Sequence, residues 1–269
     1  MNILVTGSNS PLGSYLIRKL TNTFNDYEVF ALSRGKYGPS LNNVKYFTHD
    51  LKKDTFSVNQ SFDIVMHVAS AVPAFSTNQK DFTLANLEGS KRLFENLTLN
   101  ENATVLNISS TSVYDDPLSE ILSEDSKKTS TNFYGISKLE FEKAIINMFS
   151  HRSIRVLTCR LPVVLVEGVK NNFIANWLKQ VEMGGPVRLF NPDSLFNACI
   201  SGEDIFNFFM HFKKTLSNKS LICNLSSKTP MKVIEVAKLF VNSLDKSIRI
   251  VEEEASEKAQ LVSNDLAIK

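Results

Sequence analysis

The sequence predicts an α/β protein, a doubly wound parallel sheet followed by a smaller C-terminal lobe. Three observations predict it. Short, continuous apolar runs recur through the first 160 residues, and continuity rather than alternation marks strands covered on both faces. Helix-spaced segments separate those runs, as parallel neighbours require, since each crossover needs a helix. After Pro162 the rhythm changes to shorter runs broken by turn residues.

The elements follow in order. Asn2-Ile3-Leu4-Val5-Thr6 is the first strand, and Tyr15, Leu16, Ile17 and Leu20 then recur at helical spacing. Runs at 28–32, 44–47 and 63–68 end respectively at Ser33-Arg34-Gly35, Asp50-Leu51 and Ala69-Ser70-Ala71. A helix is expected over 84–97, a fifth strand over 104–108, a helix over 134–149 and a sixth strand over 154–159. Beyond them, Gly184-Gly185-Pro186 precedes the run Val187–Phe190. Thr229-Pro230 reads as a helix start, with Thr as N-cap and Val233, Val236, Leu239 and Phe240 as the apolar face. The chain therefore divides into a sheet domain, 1–164, and a lobe, 165–269, from which strand segments can return to the sheet. Ligands of such sheets bind at the carboxyl ends of the strands, the side on which the lobe is expected.

Composition excludes several classes. The 269 residues are 43% hydrophobic and 22% charged, typical of a globular protein. Thirty Lys and Arg against 28 Asp and Glu leave a net charge of +2, too even for a nucleic-acid binder. No apolar run is long enough to cross a bilayer, and the N-terminus reads as a strand, not a signal peptide. Three scattered cysteines, Cys159, Cys199 and Cys223, point to reduced thiols in the cytoplasm. The four histidines show no metal-ligand spacing, so no metal is expected.

Two segments carry chemistry. Thr6-Gly7-Ser8-Asn9-Ser10-Pro11-Leu12-Gly13 joins the first strand to the first helix. A dinucleotide pyrophosphate needs a tight turn, close backbone approach and a helix N-terminus, whose amides face the anion. Gly7 suits the turn and Gly13 the close helix–strand contact. Ser10 stands where a middle glycine is usual, but is a good N-cap, with Pro11 in the first helical turn. An ordinary strand–turn–helix corner is the alternative. The second segment is Tyr134-Gly135-Ile136-Ser137-Lys138, with Ser109-Ser110 closing the fifth strand. Tyr134 and Lys138, four apart, share a helix face. A phenol with a pKa of about 10 is a poor base near neutrality, and a neighbouring ammonium lowers that value. A helix-surface pair is the alternative reading of the two.

With these motifs in this order, the chain resembles the extended short-chain dehydrogenase/reductases, the NAD(P)-dependent epimerase/dehydratase group of Rossmann proteins acting mainly on nucleotide sugars. The resemblance implies catalytic roles for Ser110, Tyr134 and Lys138, with Lys138 on the nicotinamide ribose. It implies cofactor contacts at Gly7, Ser10, Pro11, Leu12, Gly13, Asp50, Leu51, Ala69, Ser70, Ala71, Asn86 and Leu161. It also implies a homodimer built through the helices after the fourth and fifth strands. The arginine usual for the substrate phosphates is replaced by Asn197, so Arg188 is a candidate substitute and Asn172 a candidate substrate contact, against the plainer readings of a surface arginine and a polar loop.

The second strand ends at Ser33-Arg34, where NAD-binding proteins commonly carry an acid. Ser33 would not repel a 2′-phosphate and Arg34 could pair with one, helped by Lys36, which favours NADP(H) with NAD(H) possible. Arg34 stacked on adenine would suit either cofactor. The expected activity is NADPH-dependent reduction of a keto group on a nucleotide-linked 4-keto-6-deoxy sugar. The alternatives are an epimerase or dehydratase using bound NAD, and a cofactor-sensing regulator without catalysis. Neither nucleic-acid nor membrane partners are expected.

Overall fold

Why the middle of the first strand, Ile3-Leu4-Val5, is apolar without alternation becomes plain from the packing. Ile3 and Val5 point to one face of the sheet, into a core with Leu16, Leu20, Phe209 and Phe212. Leu4 points to the other, among Val65, Phe94, Phe141 and Phe149. A strand sandwiched this way has no solvent side to mark with polar residues.

The computed structural model describes residues 1–35, 41–114, 119–128, 130–215, 220–244, 247–253 and 260–268, with the backbone only of Thr215. The strands are β1 (Asn2–Thr6), β2 (Glu28–Ser33), β3 (Val44–Thr48), β4 (Ser61–His67), β5 (Thr98–Ser110), β6 (Ile121–Leu122), β7 (Arg155–Leu161), β8 (Val163–Leu165), β9 (Val187–Phe190), β10 (Leu195–Phe196), β11 (Cys199–Ser201), β12 (Leu221–Asn224), β13 (Met231–Lys232), β14 (Ile250–Glu253) and β15 (Leu261–Val262). The helices are α1 (Pro11–Thr23), α2 (Gln79–Phe82), α3 (Ser90–Asn96), α4 (Phe133–Phe149), α5 (Phe173–Glu182), α6 (Gly202–Thr215), α7 (Val233–Leu244) and α8 (Asp265–Ile268).

Seven parallel strands form the main sheet in the order β12-β7-β5-β4-β1-β2-β3. The chain runs outward one way from β1 to β3 and the other way from β4 to β12. The reversal falls between β1 and β4, and there a crevice opens at the carboxyl ends. The remaining strands form four two-stranded ribbons. A separate small core of Trp177, Val187, Leu189, Ala237 and Val241 holds α5, β9 and α7 together.

Three elements depart from the sequence reading. The fifth strand begins six residues early, because Thr98 and Leu99 pair with Ser61 and Phe62 across a register shift. The helix expected from residue 84 starts at Gln79 and carries a wider π-type turn over Thr83–Gly89. Thr229-Pro230 does not open α7: Met231–Lys232 first pair antiparallel with Leu195–Phe196, and the helix starts at Val233. Leu239, expected on the buried face of α7, is 59% exposed; Ala237 and Val241 are buried instead.

Candidate active site

At the reversal point the chain makes the turn that the sequence anticipated. Gly7 has φ +70°, and a Cβ there would lie 2.8 Å from the Ala69 nitrogen. A Cβ on Gly13 would lie 2.2 Å from the Gly7 carbonyl oxygen, so only glycine lets α1 approach the turn. Ser10 has φ −75° and needs no glycine. Its hydroxyl donates to the Gly7 carbonyl at 2.7 Å and accepts from the Gly13 N–H at 3.1 Å, capping α1.

A cleft of about 1120 Å³ runs from this turn across the carboxyl edge of the sheet. Gly7, Ser10, Pro11 and Leu12 line its centre. Ser33, Arg34, Asp50 and Leu51 line one end; Arg34 is exposed and Lys36 lies outside the described residues. Ala69, Ser70, Ala71 and Leu161 line the stretch leading to Ser110 and Tyr134, and Asn172 lies on the wall beyond. A turn closed to any Cβ, next to a helix N-terminus at the floor of a long cleft, fits the pyrophosphate of a dinucleotide. Ser33, Arg34, Asp50 and Leu51 would then hold the adenosine end, and Ser70, Ala71 and Leu161 the nicotinamide end.

The reacting groups come from two elements. Asn132 caps α4 by accepting from the Gly135 N–H at 2.6 Å, which sets Tyr134 in the first turn. The Tyr134 hydroxyl faces Ser110, at the tip of β5, and Ser70, after β4. Burial raises the Tyr134 pKa above its ordinary value, and the neighbouring Ser110 and Ser70 hydroxyls offset this only in part. Tyr134 therefore rests as a phenol. Lys138, expected to meet the nicotinamide ribose, does not line the cleft: it lies behind Tyr134, 5% exposed, with Nζ donating to the Ile108 carbonyl at 2.8 Å and 6.0 Å from the Tyr134 ring centroid. Its own pKa falls to about 8 through burial, with Glu142 acting to raise it.

Asn86 is also behind the cleft. Its Oδ1 accepts from the Ala71 N–H at 2.7 Å and from Ser70 Oγ at 3.0 Å, while Nδ2 donates to the Ala71 carbonyl and to Ser137. It braces the loop that presents Ser70 to Tyr134. A second brace, absent from the sequence reading, is a directed chain through His67. The Ala69 N–H donates to Thr6 Oγ1, and Ser90 Oγ donates to the Ala85 carbonyl. His67 therefore accepts at Nδ1 from Thr6 and donates at Nε2 to Ser90, both at 2.9 Å. Full burial, with Lys138 nearby, lowers its pKa to about 3, so it is neutral. The signal was present, because Thr6 and His67 are register partners at neighbouring strand ends.

The family model for the NAD dependent epimerase/dehydratase family matches residues 3–206. The chain belongs to this family. Among curated relatives, it is 23% identical to a trifunctional UDP-glucose 4,6-dehydratase/UDP-4-keto-6-deoxy-D-glucose 3,5-epimerase/UDP-4-keto-L-rhamnose-reductase of Arabidopsis thaliana, covering 93% of this chain and 41% of the plant protein's length. It is 21% identical to the ADP-L-glycero-D-manno-heptose-6-epimerase of Brachyspira hyodysenteriae, covering 88% of this chain and 79% of that one. The fold matches that of UDP-glucuronic acid 4-epimerase from Bacillus cereus, solved in complex with NAD, with TM-score 0.80, 19% identity and coverage of 99% and 91%. It also matches MoeE5, solved with UDP-glucuronic acid and NAD, with TM-score 0.79, 21% identity and the same coverage.

Neither the residue that replaces the usual arginine nor its candidate substitute lines the cleft. Asn197 is buried, 5% exposed, and ties down β15: Nδ2 donates to the Val262 carbonyl at 2.8 Å and Oδ1 accepts from the Val262 N–H at 2.9 Å. Arg188 lies outside the cleft, on the β9–β14 ribbon, where it pairs with Glu253. Its alternation on β9 points it outward, while Val187 and Leu189 point into the small core. Sequence reasoning missed Lys52, Phe75, Val166 and Lys170, which also line the cleft. Each lies close in sequence to a residue that was identified, so proximity was the available signal. Among the described residues, no helix is long and apolar enough to cross a membrane, and no group of three or more His, Cys, Asp or Glu is placed to hold a metal.

Proposed function

We propose that this chain acts on a nucleotide-linked sugar, oxidising a ring hydroxyl to a ketone and returning hydrogen within one site, as an epimerase or dehydratase does. The observation that carries the reading is that Tyr134, Ser110 and Ser70 line the cleft together, on the same edge as the glycine turn. The substrates in the relatives' names support it, as does the NAD bound in the matched folds. When bound, the nicotinamide supplies the hydride acceptor and donor. The chain's own residues handle the proton and the position. Ser110 orients the reacting oxygen. The first step needs Tyr134 as the phenolate, reached when its resting proton is given up to solvent. The phenolate takes the proton of the ring hydroxyl, the buried Lys138 charge favouring that anion, and the phenol so formed returns the proton to the ketone oxygen in the second step. Three unbridged cysteines are in keeping with a cytoplasmic setting, and the reading includes a homodimer.

A second reading, an NADPH-dependent reductase of a 4-keto-6-deoxy sugar, rests on the end of β2. Ser33 is neutral there, and the exposed Arg34 can pair with a 2′-phosphate. One experiment separates the two. The purified protein is denatured to identify any released dinucleotide, and the native protein is incubated with UDP-glucose, UDP-glucuronic acid and nucleotide-linked 4-keto-6-deoxy sugars. Released NAD, with sugars interconverting and no net change in nicotinamide absorbance, supports the first reading. Stoichiometric NADPH consumption, lost in Arg34→Ala, favours the second. Failure to bind any dinucleotide or turn over any sugar overturns both.

A further inference from the structure

Behind Tyr134 lies a polar cluster that the chemistry above does not use. Ser109, Arg160 and Asn224 stand in one rank across β5, β7 and β12 as register partners. Glu142 of α4 comes down onto that rank, and its side chain and that of Arg160 are 1% and 4% exposed. Arg160 grips Glu142 with Nη2 at 2.7 Å from Oε2 and Nε at 3.0 Å from Oε1. Ser109 donates to the same Oε1 at 2.5 Å. The remaining arm of Arg160 donates to the Tyr114 hydroxyl at 3.0 Å, and Tyr114 donates to Asn224 at 2.6 Å.

We infer that the Glu142–Arg160 pair is the positioning device of the reacting groups, locking the tip of β5, which carries Ser110, against the stripe of α4 that carries Tyr134 and Lys138. The inference rests on the Tyr134 chemistry proposed above. Tyr134, Lys138 and Glu142 follow one another at four-residue spacing, so they share one face of α4. Ser109 is the neighbour of Ser110, so anchoring the first holds the second. Two buried charges are a costly way to hold a strand to a helix, since apolar packing does it at least as well. Directional bonds do what apolar packing cannot: they fix register, and an error of about 1 Å in a reacting group costs about 100-fold in rate. The carboxylate also opposes the burial that drives Lys138 toward its neutral form. The titratable groups facing this pair are Lys138 of α4 and Tyr114 after β5, and Glu124 acts in turn on Tyr114 and accepts from the Asn224 N–H.

Two variants test it: Ser109→Ala, which deletes one hydrogen bond and leaves the ion pair, and Glu142→Gln. For whichever of UDP-glucose and UDP-glucuronic acid the wild type turns over, Ser109→Ala should lower kcat about 10- to 100-fold with KM and melting temperature near wild type. NADH titrated across pH gives a readout independent of turnover. Its binding should weaken as Lys138 loses its proton, and Glu142→Gln should move that limb to lower pH. If Glu142→Gln does not fold, the double variant Glu142→Gln/Arg160→Met, which leaves neither member of the ion pair facing an unpaired partner, replaces it. Unchanged kcat in Ser109→Ala, or a wild-type pH dependence of NADH binding without Glu142, overturns the inference. An active Tyr134→Phe protein would instead overturn the function it rests on.

Discussion

The two walls of the cleft are held by different means. On the wall built from the ends of β1, β4 and β5 with the start of α4, buried polar side chains are joined in connected chains: Thr6–His67–Ser90, Ser70–Asn86–Ser137, and Ser109–Glu142–Arg160–Tyr114. Beyond Leu161 the facing wall is largely apolar, with Val163, Val164, Val166 and Val169, and Lys170 its charged side chain. It is carried on two-stranded ribbons, and Asn197 fastens one of them to the body. Directional bonds place atoms to a few tenths of an ångström, whereas apolar contact fills space without selecting one orientation. On the proposed function, the first wall holds the reacting groups and the second shapes what enters.

The contrast can be broken at several points. The largest effect is expected at Tyr134: Tyr134→Phe should cut turnover about 10²- to 10⁴-fold while dinucleotide affinity and folding stay near wild type. Activity within threefold of wild type would remove Tyr134 from the chemistry. Next comes acid. His67 is neutral in the folded protein, with a pKa of about 3 against an ordinary 6.5. A lowered pKa in a base means that stability is fully present above about pH 6.5. It is lost as the unfolded chain takes up the proton, by about 1.4 kcal/mol per pH unit between 6.5 and 3. Urea midpoints over that range should show the slope, and His67→Gln should flatten it.

A Cβ at Gly13 forces the turn off the helix, so Gly13→Ala should lower stability by about 1–3 kcal/mol and weaken NADH binding, both measured on one preparation. On the second wall the order of effects reverses. Asn197→Ala strands the Val262 amide, while the Val262 carbonyl keeps Ser226 as a donor, and should cost about 1–3 kcal/mol in urea unfolding, with turnover per folded molecule little changed. Smallest of all, Arg188→Ala should change neither KM nor stability beyond about 0.5 kcal/mol, since its partner Glu253 lies on a surface ribbon outside the cleft.

The sequence by itself determined the parallel sheet and its reversal point. Doubly buried strands are apolar along their length, and a turn that must exclude a Cβ shows its glycines in any context. Tyr134, Ser110 and the cleft-lining segments at the strand ends were legible for the same reason, because each belongs to one short stretch whose local geometry is set locally. Tertiary structure alone decided which side chains stand behind that surface. Lys138 and Asn86 became braces because burial and hydrogen bonding from other elements set their surroundings. Asn197 became a clamp on a strand 65 residues away. Glu142 and Arg160 meet across 18 residues, on a rank defined only once three strands are in register. A charge or an amide in a sequence shows what a residue can offer, and only packing shows what it meets.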